Sequence, residues 1–291
     1  MSMPRPPVVR DRAWIDREYG RDKWPAVRAQ IEDLIAGGET SLARVVGRLN
    51  RAEVDRPGLE ETAVTVLGRP VTVPAGLAYP GFYALVRSLL LEACEGLGSP
   101  TLSSPTPGPE SSPDLVVELG SGWGRNLFDL WLNGGPRTAR YAALEYVEAG
   151  RDCTRRLAAL APDLNLSTVP FDYHAPVFPV VAPGRCTLVY TVFSVDQIPE
   201  VSPAVFEAVL GLGDAVSGLH LEPFGWQGRE RWPGLTGSSA AYAARHDYNR
   251  NFWPVMTDLE ARGLIAIETV VPELYGPNNE NAASLLRWRK L

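Results

Sequence analysis

The sequence predicts an α/β fold: a doubly wound, mostly parallel seven-stranded sheet with an antiparallel last strand, preceded by an N-terminal helical extension. Three observations carry this expectation. From Leu115 onward, short apolar runs alternate with stretches of helical periodicity, the pattern of a parallel sheet covered on both faces. The first of these runs passes through Glu118-Leu119-Gly120-Ser121-Gly122-Trp123-Gly124, a strand that turns on glycines into a helix. The last two runs are joined only by Gly276-Pro277-Asn278-Asn279-Glu280-Asn281, too short for a crossover helix, so they pair antiparallel.

The elements follow in order. Residues 1–97 form the extension, with apolar residues at helical spacing at Val27, Ile31, Leu34 and Ile35, and again at Leu42, Val45, Val46 and Leu49. Ala63 to Val73, around Gly68-Arg69-Pro70, reads as a hairpin, and an apolar helix runs from Phe82 to Cys94. Residues 98–114 (GSPTLSSPTPGPESSPD) are a flexible linker by composition. Residues 115–291 are then the Rossmann-like domain. Its strands are expected at Leu115–Leu119, Tyr141–Glu145, Leu164–Pro170, Cys186–Val192, Ala215–Leu221, Ile265–Val271 and Ser284–Arg289. Its helices are expected to start near Gly124, Glu148, Pro203 and Asp247. No internal repeat is present.

The 291 residues suffice for a sizeable core, and 45% hydrophobic with 21% charged residues is ordinary for a globular protein. A net charge of -6 with no Lys/Arg-rich run argues against nucleic acid as a partner. Three separated cysteines, Cys94, Cys153 and Cys186, form neither a metal knuckle nor a disulfide framework. No stretch of 18 apolar residues and no signal peptide is found, so a cytoplasmic location without membrane association is expected. Oligomeric state is not specified by any of these features.

The glycine loop decides the ligand class. A dinucleotide fingerprint would place a third glycine where Arg125 stands. The chain instead has Glu118-x-Gly120-x-Gly122-x-Gly124, with an acid in the strand. That acid repels a pyrophosphate and favours a ligand carrying an ammonium group. The second strand ends at Glu145, where a carboxylate can accept both hydroxyls of a ribose.

This segment resembles motif I of the class I methyltransferases that depend on S-adenosylmethionine (SAM), and the resemblance extends over roughly Leu115 to Leu291. It implies SAM as cofactor, with Glu145 on the ribose and Asp172, in Phe171-Asp172-Tyr173, on the adenine amino group. The cofactor set is then Glu118, Gly120, Ser121, Gly122, Gly124, Asn126, Glu145, Tyr146, Asp172, Tyr173 and Tyr190. No Asp/Asn-Pro-Pro-aromatic tetrapeptide follows the fourth strand, which weighs against methylation of the amino groups of DNA bases or glutamine. No metal-ligand cluster stands out.

Ligands of open α/β sheets sit beyond the carboxyl ends of the strands, which places Tyr190 and Ser194 of the fourth, and His220 and Glu222 of the fifth, at the reacting centre. His220 and Glu222 are the general-base candidates. Aromatic residues before the loop, at Trp14, Tyr19 and Trp24 and at Tyr79, Phe82 and Tyr83, with Arg21, suggest a lid. The expected activity is methyl transfer to a small-molecule acceptor, as in specialised metabolism. The alternative is a SAM cyclase or lyase that closes the methionine chain to azetidine-2-carboxylate and releases methylthioadenosine.

Overall fold

The computed structural model describes residues 8–54, 59–96, 112–175, 181–235, 239–278 and 280–291. Most of the linker expected at 98–114, and Asn279 in the last turn, lie outside the described residues.

The chain begins with a short helix, α1 (Arg12–Ile15), capped by the Asp11 carboxylate, and continues into an eight-residue π-helical stretch, Asp16–Lys23. Then come α2 (Trp24–Ala36) and α3 (Leu42–Val54). The apolar residues at helical spacing form the buried face of α3 at Leu42, Val45, Val46 and Leu49. Of those on α2 only Ile31 is buried, whereas Val27 and Leu34 are half-buried and Ile35 is exposed. The expected hairpin is present as β1 (Glu61–Val66) and β2 (Arg69–Pro74). Leu67 and Gly68 both have positive φ in its two-residue turn, matching the twist of the flanking strands. Next, α4 (Ala75–Gly96) starts five residues before Pro80, earlier than the expected start at Phe82, and carries that proline inside the helix.

The seven expected strands all form: β3 (Leu115–Leu119), β4 (Arg140–Glu145), β5 (Leu166–Pro170), β6 (Gly184–Val192), β7 (Gly213–Glu222), β8 (Ile265–Gly276) and β9 (Ala283–Lys290). Between them lie α5 (Arg125–Leu132), α6 (Glu148–Ala158), α7 (Pro203–Val209), α8 (Ala240–Arg245) and α9 (Phe252–Ala261). The helix expected near Asp247 begins at Phe252, and α8 has no counterpart among the expected helices. Sheet order is β2-β1-β8-β9-β7-β6-β3-β4-β5. Strands β5, β4, β3, β6 and β7 are parallel, and β9 is antiparallel to both β7 and β8. The expected count of seven becomes nine because the hairpin docks β1 along β8.

Period-two alternation sorts the sheet into two cores. Val116, Tyr141, Leu188, Tyr190 and Leu219 face α2 to α6, so the N-terminal helices share one continuous core with α5 and α6. Leu115, Val117, Leu119, Val189 and Trp288 face α7 and α9. The chain winds outward from β3 through β4 to β5, then returns to place β6 on the other side of β3. That reversal opens a crevice at the carboxyl ends of β3 and β6. Among the described residues no helix is long and apolar enough to cross a membrane, and no cluster of His, Cys, Asp or Glu is arranged to hold a metal ion.

Candidate functional site

The glycine loop lies at this crevice. Gly120, Gly122 and Gly124 have φ of 69°, 57° and 82°, a conformation that costs little only for glycine. Each also lacks room for a side chain: a Cβ on Gly120 would lie 2.5 Å from Ser194 Cβ, and one on Gly122 would lie 2.8 Å from the Trp24 indole. The N–H groups of Gly120 and Ser121 both donate to Leu144 O, at 2.7 and 3.0 Å, tying the loop to β4.

Beside the loop is a cavity of about 250 Å³. One wall is polar. Glu118 is 2% exposed; its carboxylate accepts from Asn126 Nδ2 at 2.6 Å and from the Tyr190 hydroxyl at 3.3 Å. The pairing register sets Glu118 directly opposite Tyr190. Burial pushes the Glu118 carboxyl up to about 8, despite the lowering pull of Asn126 and Arg125. Glu145 accepts from the N–H of Gly122 at 2.7 Å and of Val147 at 2.8 Å, and burial raises its pKa as well. Two buried polar atoms on this wall, Ser121 Oγ and Trp24 Nε1, have no partner among the described residues. Buried donors and acceptors are nearly always paired, so two orphans lining one cavity make it the candidate ligand site.

The N-terminal segment roofs the loop. The rare π-helical stretch presents Tyr19 and Lys23, followed by Trp24, into the cavity. Tyr19 and Trp24 rings lie 5.4 Å apart, and the Lys23 ammonium sits over both. Arg10 anchors this roof. Its guanidinium lies 4.3 Å from the rings of both Trp14 and Tyr248, and it donates to His246 O at 2.6 Å and to Gln197 Oε1. The same Gln197 oxygen accepts from the Tyr19 hydroxyl at 2.8 Å, and both residues line the cavity. Arg10→Ala should therefore loosen the roof and leave a folded sheet. The substitution removes two charge-assisted hydrogen bonds. The expected result is faster amide exchange confined to residues 11–24, together with about tenfold weaker ligand affinity. Unchanged exchange in that segment would show that Arg10 does not hold it.

The remaining wall is aromatic, made by Tyr79, Phe82 and Tyr83 of α4 and by Phe193 at the end of β6. Phe193 has φ of 48°, a conformation that costs a non-glycine residue about 1–3 kcal/mol. It is held there by its N–H bond to Leu221 O at 3.0 Å and by Glu222, which accepts from the N–H groups of Ser194, Val195 and Asp196 at 3.0 to 3.2 Å. Arg125 stacks 3.9 Å from the Tyr83 ring and pairs with Glu53 at 3.4 Å.

The sequence-derived set divides accordingly. Glu118, Gly120, Ser121, Gly122, Asn126, Glu145, Tyr146, Tyr173 and Ser194 line the cavity. Gly124 lies beneath it as the cap of α5, and Tyr190 stands behind Glu118. Asp172 does not point inward: it pairs with Arg12 at 2.8 Å and caps the N–H of His174. His220 is placed in the opposite core, fully buried among Phe206, Phe252 and Trp288. Trp288 Nε1 donates to its Nε2 at 2.8 Å, and its Nδ1 meets Thr191 Oγ1 at 2.9 Å, so neither nitrogen is available as a base. Burial lowers its pKa to about 3. Glu222 likewise is a buried clamp on the turn after β6, its carboxyl raised to about 8 by burial and by Asp196. Ser194 Oγ donates to Leu119 O at 2.8 Å and meets the Tyr173 hydroxyl at 3.0 Å, so it acts as a strut. Residues the sequence did not flag as site residues include Lys23, Glu53, Arg125 and Pro277. Of these only Arg125 had a signal, as the non-glycine in the loop pattern.

No protein-family model matches the chain, and no curated protein resembles it in sequence. Solved structures do align with it. A SAM-dependent methyltransferase from Aquifex aeolicus aligns at 13% identity over 71% of this chain and 89% of that one, with a TM-score of 0.43. Magnesium protoporphyrin IX methyltransferase from Synechocystis PCC 6803, with bound SAH, aligns at 12% identity over 74% and 85%, with a TM-score of 0.45. A plantazolicin methyltransferase in complex with SAH aligns at 10% identity over 91% and 98%, with a TM-score of 0.44. By its own sheet, with seven core strands, an antiparallel last strand and the acid-led glycine loop at the reversal of strand order, the chain has a doubly wound, Rossmann-like α/β fold.

Proposed function

We propose that the protein is a methyltransferase that binds SAM and acts on a small-molecule acceptor. The observation that carries this reading is the glycine loop, three left-handed glycines behind a buried acid, roofed by Trp24 and bordered by two unpartnered polar atoms. A cationic amino-acid nucleoside fits this donor set. Glu118 would face the methionine ammonium, Glu145 the ribose hydroxyls, and Ser121 Oγ and Trp24 Nε1 would gain the partners they lack.

When bound, SAM supplies a methyl group on a cationic sulfonium, and positioning does most of the work of such an in-line displacement. The chain's own contribution is to orient and to exclude water. Tyr19 and Trp24 close the cofactor side, while Phe82 and Phe193 close the other. The carboxylates of the cavity are Glu53, Glu118 and Glu145, and each is already engaged with Arg125, Asn126 or backbone N–H groups. The site is thus suited to an acceptor that is nucleophilic without a strong protein base.

Incubation with SAM alone, with nucleosides followed by mass spectrometry, tests the reaction class. The expectation is that SAM persists at the level of an enzyme-free control and that SAH accumulates only once an acceptor is added. Methylthioadenosine above the control would mean that the methionine chain itself is consumed, and methyl transfer would be the wrong reading.

A further inference from the structure

We infer that the wall formed by α4 and Phe193 is the acceptor subsite, and that it takes a planar aromatic or heteroaromatic molecule without a cationic head. This rests on the methyltransferase reading, since it assigns the glycine-loop wall to SAM.

The two walls differ in chemistry. Backbone amides, Ser121, Glu118 and Glu145 make the loop side polar, whereas Tyr79, Phe82, Tyr83 and Phe193 make the other side mostly aromatic, with Arg125 and Glu53 at its edge beside Tyr83. The rings brace one another. Phe82 lies 5.4 Å from Phe193 at 60° and 5.9 Å from Tyr275 in a stacked arrangement, and Tyr83 lies 6.2 Å from Phe82. Such a set keeps its shape and rewards a flat ring, which gains edge and face contacts beyond the area it buries.

Phe193 carries the strongest independent sign of function. Its backbone is in the left-handed region, and Glu222 spends its carboxylate on three successive N–H groups of the turn that follows. Strain held by a buried clamp collects at sites that must present one side chain. Here it presents a phenyl ring at the carboxyl end of β6.

Aromatic walls also attract cations, but this one is already served. The Arg125 guanidinium lies 3.9 Å from the Tyr83 ring and occupies that face. A cationic acceptor head set on this same wall would be repelled by that guanidinium, whereas the SAM cation is assigned to the loop side with Glu118 and Glu145.

The test compares 2-naphthol with its saturated analogue decahydro-2-naphthol, and with tetramethylammonium, by calorimetry on the full chain with and without saturating SAH. The expected result is that 2-naphthol binds about five- to tenfold more tightly than the saturated alcohol, the worth of one good aromatic pair. Phe193→Leu and, as a variant outside the buried core, Tyr79→Leu should each remove most of that preference and leave SAH affinity within about twofold. Equal binding of the two alcohols, a preference untouched by both substitutions, or tighter binding of tetramethylammonium would each overturn the assignment. Absence of SAH binding to the unmodified protein would reject the methyltransferase reading instead, and the naphthol comparison without SAH would still judge the wall.

Discussion

Gly122→Ala is expected to lower SAM affinity by about 100-fold while leaving the sheet folded. Two effects combine at this position. Alanine must adopt φ near 57°, and its Cβ would lie 2.8 Å from the Trp24 indole, which lies across the loop. Left-handed strain alone costs about 1–3 kcal/mol, and every 1.4 kcal/mol is tenfold in affinity. The Gly122 N–H also donates to Glu145, so any shift of the loop disturbs the carboxylate assigned to the ribose. Isothermal titration checks the affinity, and circular dichroism checks the fold. A variant that binds SAM as the native chain does would show that the loop does not cradle the ligand.

The second large effect concerns His220 and acid. Its ring is neutral in the folded protein because Trp288 donates to Nε2, and burial depresses its pKa to about 3. In the unfolded chain histidine titrates near 6.5. Between these values the unfolded state binds one proton more than the folded state, so stability falls as pH drops below about 6.5 and this loss is complete only below about pH 3. By pH 4 the loss from this residue is roughly 3 kcal/mol, at 1.36 kcal/mol per pH unit. His220→Phe removes the titrating group from a pocket of Phe206, Phe252 and Trp288. It should cost about 2 kcal/mol at pH 7, because Trp288 Nε1 and Thr191 Oγ1 lose a buried partner, and it should flatten the difference in denaturation midpoint between pH 7 and pH 4. SAM affinity should stay within about twofold. A collapse of catalysis at unchanged stability would return His220 to the role of a base.

The fold was legible because its signals are local. Alternating apolar runs from Leu115 mark strands, and three glycines after a buried acid demand a turn that only glycine makes cheaply. The lining of the candidate site was legible where it follows directly from those signals, at Glu118 to Asn126 and at Glu145. His220 was misassigned although its strand held the correction. With Leu219 and Leu221 facing α4 and its neighbours, period two turns His220 to the other face, against α7 and α9. The same parity places Tyr190 beside Glu118. Asp172 was misassigned for a different reason: its partner, Arg12, is remote in sequence and lies in the N-terminal segment. The aromatic character of Tyr19 and Trp24 suggests a lid, but not how they meet the loop, because a π-helical stretch breaks the 3.6-residue period. The Arg10 anchor was beyond sequence reasoning, since Arg10 meets Gln197 and Tyr248 only in three dimensions.

The glycine loop, its acid and its roof make one claim, that this crevice holds SAM and not a dinucleotide. Calorimetric titration of the native chain with SAM and, separately, with NAD tests it most directly. The account predicts saturable one-to-one binding of SAM and none of NAD at the same concentrations. Tighter binding of NAD, or no binding of SAM, would contradict it.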